Sequence, residues 1–363
     1  MTEITDYSAT AYAQQLAEKQ QQTQTQFAEF SPPTLSVYPS PATHYRMRAE
    51  FKIWHSDGRC DYAMFKPGTP KQTYIINDFP AASETINQLM PKLLDALNKS
   101  ELLRRKLFQC EFLSTTTGDC LITLIYHKSL CDNWQQQAEQ LAATLGCQLM
   151  GRARKQKRIL SRNWVTETLD VDGRAFTYEH IEASFTQPNA SICADMLSWA
   201  YKNTQSNGGD LLELYCGNGN FTLPLSQNFE RVLATEIAKS SVDSAKRNMA
   251  HNGINNIEFA RLSSEEFTQA LEGVRAFRRL EHLDLGSYNF STVLVDPPRA
   301  GLDDGTLALI KRFERIVYIS CNPDTLYDNL KELSKTHTIS DFALFDQFPF
   351  THHRECGVIL EKL

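Results

Sequence analysis

Leu211-Leu212-Glu213-Leu214-Tyr215-Cys216-Gly217-Asn218-Gly219-Asn220-Phe221 is the stretch that decides how this 363-residue chain reads. A short apolar run enters a Gly-x-Gly turn and then a segment compatible with helix, which is the strand–turn–helix step of an α/β unit. The two glycines let the backbone approach a ligand closely, but a dinucleotide fingerprint wants a third glycine and position 222 is Thr. The next strand, Val232-Leu233-Ala234-Thr235, closes on Glu236. A carboxylate about 20 residues after the glycines binds the ribose hydroxyls of a nucleotide cofactor such as NAD or S-adenosylmethionine. It can equally be an acid that complements a helix N-terminus. S-adenosylmethionine has no pyrophosphate and does not need the missing glycine.

Outward from that stretch the rhythm persists. Strands are expected at Leu211–Tyr215, Val232–Thr235, Ile257–Ala260, Thr292–Val295, Ile316–Ile319, Ile339–Leu344 and Val358–Leu360, with helices over 190–202, 221–227, 238–251, 264–271, 306–313 and 323–335. Seven strands alternating with helices make a doubly wound α/β sheet, whose ligands sit at the carboxyl ends of the strands. Three further motifs fall there. Val295-Asp296-Pro297-Pro298-Arg299 follows the fourth strand as an acid on a stiff rim. Ser320-Cys321-Asn322-Pro323 follows the fifth, and a thiol just before a helix start is placed where the dipole favours thiolate. A lone cysteine is by default an inert hydrophobe. Phe348-Pro349-Phe350-Thr351-His352-His353-Arg354-Glu355-Cys356-Gly357 precedes the last strand, and here a metal site, a surface charge cluster and a catalytic base all compete. Adjacent histidines cannot easily turn toward one ion, which disfavours the metal.

The first half differs. Residues 1–34 are polar and Gln-rich, stop at Pro32-Pro33, and show Tyr12, Leu16, Phe27 and Phe30 as the apolar side of a helical segment that could pack on the catalytic domain. Residues 35–178 read as an α+β domain with antiparallel hairpins, including a strand over Tyr45–Ile53 whose polar positions are Arg46, Arg48, Glu50 and Lys52. This domain carries 19 Lys/Arg against 14 Asp/Glu, whereas residues 179–363 carry 17 against 25. The net charge of −6 therefore hides a basic middle beside an acidic C-terminal half. The run from Gly151 to Arg162, with Arg152, Arg154, Lys155, Lys157, Arg158 and Arg162, contains no acid and suits either a solvated loop or strand face or a phosphate-tracking surface. Nine scattered cysteines with no CxxC pair exclude a disulfide scaffold and a compact metal or iron–sulfur motif. No apolar run is long enough for a transmembrane helix, and the N-terminus has no secretory pattern, so a cytoplasmic, membrane-free protein is expected.

The motifs FTQPN (185–189), ELYCGNGNF, ATE, DPPRAG, SCNP and HHRECGV together resemble those of the RNA 5-methyluridine methyltransferases, over nearly the whole chain. The absence of an iron–sulfur cysteine set places the resemblance in the tRNA branch. What it implies is a class I, Rossmann-like S-adenosylmethionine-dependent methyltransferase domain at 179–363, joined to an RNA-binding domain at 35–178. The activity implied is methyl transfer to C5 of uridine 54 in the tRNA T-loop, with the base flipped out and held as a covalent adduct. Cys321 would be the nucleophile that adds to uracil C6, and Glu355 the acceptor of the C5 proton. Gln187, Tyr215, Asn220, Glu236 and Asp296 would bind the cofactor, with Gly217 and Gly219 leaving it room and Ser263, Ser264 and Glu265 near the adenine. RNA would be held by Arg46, Arg48, Lys52, Arg154, Lys155, Lys157 and Arg158, with Phe51, Tyr62 and Phe65 as candidate stacking rings. The resemblance implies no metal and a monomer, and leaves open action on the T-loop of tmRNA and assistance to tRNA folding.

Overall fold

A computed structural model describes residues 7–66, 69–205, 208–275, 277–281 and 283–363, with the backbone alone for residues 69–71. Residues 1–6 of the expected N-terminal segment lie outside the described residues. The chain divides into two compact units, one built on Pro41–Thr168 with Glu179–Ala190, the other on Thr10–Ser40, Leu169–Tyr178 and Ser191–Leu363.

In chain order the helix α1 (Ala9–Phe27) and the short strand β1 (Ser36–Tyr38) come first and belong to the second unit. The first unit then folds as β2 (Arg48–Ser56), β3 (Arg59–Lys66), β4 (Thr69–Ile76), α2 (Glu84–Lys99), α3 (Glu101–Arg104), β5 (Leu107–Ser114), β6 (Cys120–Tyr126), α4 (Asp132–Leu145), β7 (Gln148–Ala153) and β8 (Gln156–Ile159). These strands form one sheet in the order β4-β3-β2-β5-β6-β7-β8. All pairs are antiparallel except β6 with β7, which run parallel because α4 carries the chain back between them. Ile86, Leu89, Met90, Leu93 and Leu97 recur at helical spacing along α2 and close over Phe51, Tyr62 and Phe112 of the sheet. Phe51 and Tyr62 are thus core residues, while Phe65 is exposed.

The ribbon β9 (Trp164–Val171) and β10 (Arg174–Ile181) follows. The second unit continues with α5 (Ala190–Lys202), β11 (Asp210–Leu214), α6 (Thr222–Leu225), β12 (Val232–Thr235), α7 (Lys239–His251), β13 (Ile257–Ala260), α8 (Ser264–Leu271), β14 (Phe290–Val295), α9 (Asp304–Ile310), β15 (Arg315–Ser320), α10 (Pro323–Leu333), β16 (His337–Phe345) and β17 (Glu355–Lys362). The sheet order is β1-β16-β17-β15-β14-β11-β12-β13. Every residue of β11 and β12 is buried, as expected for parallel strands covered on both faces. Only β17 runs against its neighbours, between β15 and β16. The seven expected strands are all present, in the arrangement of a class I methyltransferase. The expected count is corrected to eight, because Ser36–Tyr38 pairs parallel to Ala343–Phe345 at the edge. That strand is three residues long, too short to carry a periodicity, and it lies in a stretch the sequence suggests for the middle domain. Among the described residues no helix is long and apolar enough to cross a membrane.

Helix α1 is held within the second unit by both polar and aromatic contacts. Lys19 and Asp346, 3% and 0% exposed, form a buried ion pair at 2.6 Å, and the same ammonium donates to the Phe348 carbonyl at 2.9 Å. Burial lowers the Lys19 pKa and Asp346 opposes the shift. At the helix end, fully buried Phe27 packs edge-on to Phe342 at 5.2 Å. Removing one partner of a buried pair strands the other charge, at a cost of about 3–5 kcal/mol, whereas replacing both is close to neutral. Lys19→Met should therefore lower the urea midpoint strongly, and Lys19→Met with Asp346→Leu should recover most of the loss. Equal stability of the single variant and the parent would show that the pair does not anchor the helix.

Candidate active site

Register alone aligns the expected site residues in a row. Leu214 pairs with both Thr235 and Val295, so the positions immediately after them, Tyr215, Glu236 and Asp296, stand side by side past the carboxyl ends of β11, β12 and β14. Val295 pairs with Tyr318, which carries the row to the end of β15, and Ser320 pairs with Cys356. The next positions outward, Cys321 and Glu355, therefore face each other. Opposite residues on antiparallel strands stand about 4.5–5.5 Å apart at Cα. Because β17 is antiparallel, its first residue rather than its last reaches this edge.

The β11–α6 turn is tightly specified. Tyr215, Gly217 and Gly219 all have positive φ, at 64°, 55° and 84°, and the Gly219 N–H closes the turn on the Cys216 carbonyl at 2.9 Å. Glycine meets this demand without steric cost. A Cβ at position 217 would project into open space, while the Gly217 N–H donates to Glu236 Oε2 at 3.1 Å and the Ala238 N–H donates to Oε1 at 2.7 Å. Each carboxylate oxygen thus has one backbone donor and one lone pair left beside an open volume, a fit for the vicinal hydroxyls of a ribose. The Tyr215 and Ser264 hydroxyls share a hydrogen bond at 2.7 Å, and Ser263 caps α8 in a capping box with Glu266. Asn220 lies in the same turn, its amide against Cys193 Sγ and its carbonyl accepting from the Tyr178 hydroxyl at 3.0 Å. Gln187 belongs to the first unit, in the segment whose Pro188 carbonyl accepts from the Met47 N–H at 2.7 Å.

The electrostatics differ from the sequence expectation for the thiol. Burial, with the charges of Glu355 and Asp296 adding to it and Arg299 opposing, pushes Cys321 up to about 11. Helix α10 begins at Pro323, and its dipole does not overcome these influences. Burial also raises the Glu355 carboxyl well above the usual range, with Asp296 adding to the shift, and pushes Asp296 up to about 7. In the unliganded site, burial therefore disfavours both the thiolate and the carboxylate. Asn322 holds the loop beneath it, its Nδ2 donating to the Arg299 carbonyl at 2.9 Å and its Oδ1 accepting from the Asp324 N–H at 3.1 Å. A thiol and a carboxyl on opposing strand ends can add to and eliminate from one planar ring between them.

Glu213 was not singled out from the sequence. Its carboxyl is buried in the middle of β11, pushed up to about 8 by burial, with one oxygen lacking a hydrogen-bond partner. The signal was present as the single charge in an apolar run.

The candidate RNA residues divide. Arg46 and Arg48 were expected on an outer strand face, and that expectation is corrected. Arg48 donates to the Glu182 and Ser184 carbonyls at 2.8 and 2.9 Å, and Arg46 donates to the Arg48 carbonyl at 2.7 Å. Lys157 pairs with Glu182 at 3.2 Å, and Arg158 with Asp132 at 3.0 Å. Lys52 bonds Gln109 and lies 4.0 Å over the Phe108 ring. Arg154 and Lys155 are exposed at the β7–β8 turn. The basic loop at 275–279 runs through Ala276, which lies outside the described residues; its Arg279 donates to the Arg261 carbonyl at 2.8 Å. No group of side chains that could hold a metal ion occurs among the described residues.

A thiol held near 11 reacts slowly at neutral pH. Alkylation of Cys321 by iodoacetamide, followed by peptide mass spectrometry, should accelerate continuously from about pH 7 to about pH 9.5 with no plateau. A plateau below about pH 8.5, the ordinary thiol range, would contradict this electrostatic assignment.

Comparison with known proteins agrees with this geometry. The family model described as tRNA (Uracil-5-)-methyltransferase matches residues 11–363. Curated relatives named tRNA/tmRNA (uracil-C(5))-methyltransferase include one from Saccharophagus degradans, 58% identical over 97% of this chain and 96% of its own length. Another, from Acinetobacter baylyi, is 56% identical over 97% of this chain and 99% of its own. Among solved structures, the Pyrococcus abyssi tRNA (uracil-54, C5)-methyltransferase in complex with S-adenosyl-L-homocysteine shares the fold, with a TM-score of 0.75 at 19% identity, over 96% of this chain and 83% of that one. From the strand order, the row of residues at the sheet edge and these matches, the chain belongs to the tRNA (uracil-5-)-methyltransferase family.

Proposed function

We propose that the protein methylates C5 of uridine 54 in the T-loop of tRNA, and of the corresponding uridine in tmRNA, from S-adenosylmethionine in the cytoplasm. The observation that carries the reading is the facing pair Cys321 and Glu355, one step past the Ser320–Cys356 rung. Glu236 holds the ribose, and Tyr215, Asn220 and the 217–219 turn flank it. When bound, the cofactor supplies an electrophilic methyl group on a sulfonium.

Uracil C5 is a weak nucleophile until C6 is attacked. The Cys321 sulfur adds to C6, the thiol proton leaves the site, and the electron pair of the C5–C6 bond moves onto C5 and the C4 carbonyl, which makes C5 nucleophilic. After methylation C5 still carries its hydrogen. Glu355, once ionised, takes that proton, the C5–C6 double bond re-forms and the C6–S bond breaks. Asp296, past the end of β14, lies in the row between the cofactor residues Tyr215 and Glu236 and the nucleophile Cys321, and is suited to a hydrogen bond at the uracil edge. The raised pKa of Glu355 makes its ionised form a stronger base toward the C5 proton. A stacked loop base is out of reach, so the target is flipped out at a cost of a few kcal/mol. Lys52, Arg154 and Lys155 offer phosphate contacts, and the exposed rings of Trp54, Phe65 and Phe108 offer stacking surfaces for unpaired bases. Opening and re-closing the T-loop in this way would also assist tRNA folding.

Glu355→Gln keeps the size of the buried side chain and removes a carboxyl whose ionisation burial disfavours, so it should fold normally. It should methylate the base, fail to remove the C5 proton, and accumulate an RNA–protein band on a denaturing gel. Cys321→Ala should give no transfer and no band while still binding S-adenosylhomocysteine. Turnover by Cys321→Ala, or normal turnover by Glu355→Gln without a trapped band, would overturn the assignment.

A further inference from the structure

Cys321 lies one step past the Ser320–Cys356 rung that ends the β15–β17 ladder, and Glu355 is the first residue of β17, so regular pairing holds each on one side only. Beyond Cys321 the chain turns into α10; before Glu355 the nine residues 346–354 have no regular structure. Positioning the two groups to the fraction of an ångström that addition and proton removal require needs something that holds both flanks. Helix α1 lies along the second flank. Gln15 bonds the Phe350 N–H and the Thr351 carbonyl, Lys19 bonds Asp346 and the Phe348 carbonyl, and Thr23 accepts from Arg354 at 3.2 Å. These positions fall three or four residues apart on one helix face.

Gln26 is the next residue on that face, and it touches both flanks. Its Oε1 accepts from Arg354 Nη2 at 2.7 Å, one residue before Glu355. Its Nε2 donates to Asp324 Oδ1 at 2.8 Å and to the Pro323 carbonyl at 3.4 Å, two to three residues after Cys321. A primary amide is the side chain that can donate to a carboxylate on one side and accept from a guanidinium on the other. We propose that Gln26 is a positioning residue for methyl transfer, its amide clamping the flank of the nucleophile to the flank of the base. This inference rests on the roles assigned to Cys321 and Glu355. It makes the N-terminal helix, which touches no reacting atom, part of the catalytic apparatus.

The clamp has a polarity, and the test uses it. Gln26→Glu keeps the acceptor for Arg354 but sets a carboxylate against Asp324. Adding Asp324→Asn reverses that bond and restores a donor–acceptor match. In the full-length enzyme, single-turnover methylation of a T-arm RNA should fall about tenfold in Gln26→Ala and in Gln26→Glu, as expected for a small misplacement of reacting groups. KM for RNA and for S-adenosylmethionine should stay within twofold. The double variant Gln26→Glu with Asp324→Asn should return to within threefold of the parent. In the absence of RNA and cofactor, amide hydrogen exchange of the 347–356 peptide should be faster in both single variants and near the parent rate in the double. An unchanged single-turnover rate in Gln26→Ala, or a double variant no better than Gln26→Glu, would overturn the proposal. If the parent enzyme itself transfers no methyl to T-arm RNA, the proposed function fails instead, and the exchange rates still decide whether the clamp exists.

Discussion

The site depends on one topological constraint, the insertion of a single antiparallel strand between two that run the other way. In a parallel sheet each strand delivers to the ligand edge only the residues that come after its last one. Here β17 delivers its first residue, and the pairing of Ser320 with Cys356 brings that residue to face the one just past β15. Cys321 and Glu355 lie 34 positions apart in the chain and are made neighbours by one rung of a ladder. For this to happen the chain must climb β16 to the edge, cross over residues 346–354, and enter β17 from above. That crossing is the irregular part of the site, and it is the part that α1 grips.

Burial then sets the resting charge. Two ionised carboxylates and a thiolate crowded at one desolvated edge would repel each other, and burial accordingly shifts all three groups toward their protonated forms. Burial and the nearness of Asp296 raise the Glu355 carboxyl, and burial with the charges of Glu355 and Asp296 pushes the Cys321 thiol up to about 11. Stability carries a pH sign from the same cause. Carboxyls whose folded pKa lies above the unfolded value, as for Glu213, Asp296 and Glu355, favour the folded state least at high pH, and their contribution falls as pH rises from about 4.5 through the folded values.

Much of the catalytic unit was legible because its strands are buried on both faces and read as short apolar runs bounded by helix signals. Val232–Thr235 and Ile257–Ala260 are found as expected to the residue, as are the helices at 190–202 and 264–271. The motif residues fell at strand ends because the ends are where such runs stop. What escaped has physical causes. Strand β1 is too short for a pattern, and β4 carries Pro70 near its start. Alternation along Arg46 and Arg48 located their face but could not reveal that backbone carbonyls of 182 and 184 cover it. For helix α1 the apolar residues Tyr12, Phe27 and Phe30 marked the docking side, and Phe27 is fully buried there, but an apolar periodicity is blind to the Gln15, Lys19, Thr23 and Gln26 contacts along the same helix.

The most direct test of the account is to ask where the nucleobase is attached during turnover. A T-arm RNA carrying 5-fluorouridine at the target position offers no proton for Glu355 to remove, so the reaction should halt with sulfur still bonded to C6. Digestion and mass spectrometry of that complex should find one nucleotide, methylated and fluorinated at C5, on the peptide containing Cys321. An adduct on another cysteine, or no adduct from an enzyme that methylates the ordinary RNA, would contradict the facing thiol and carboxyl as the centre of the chemistry.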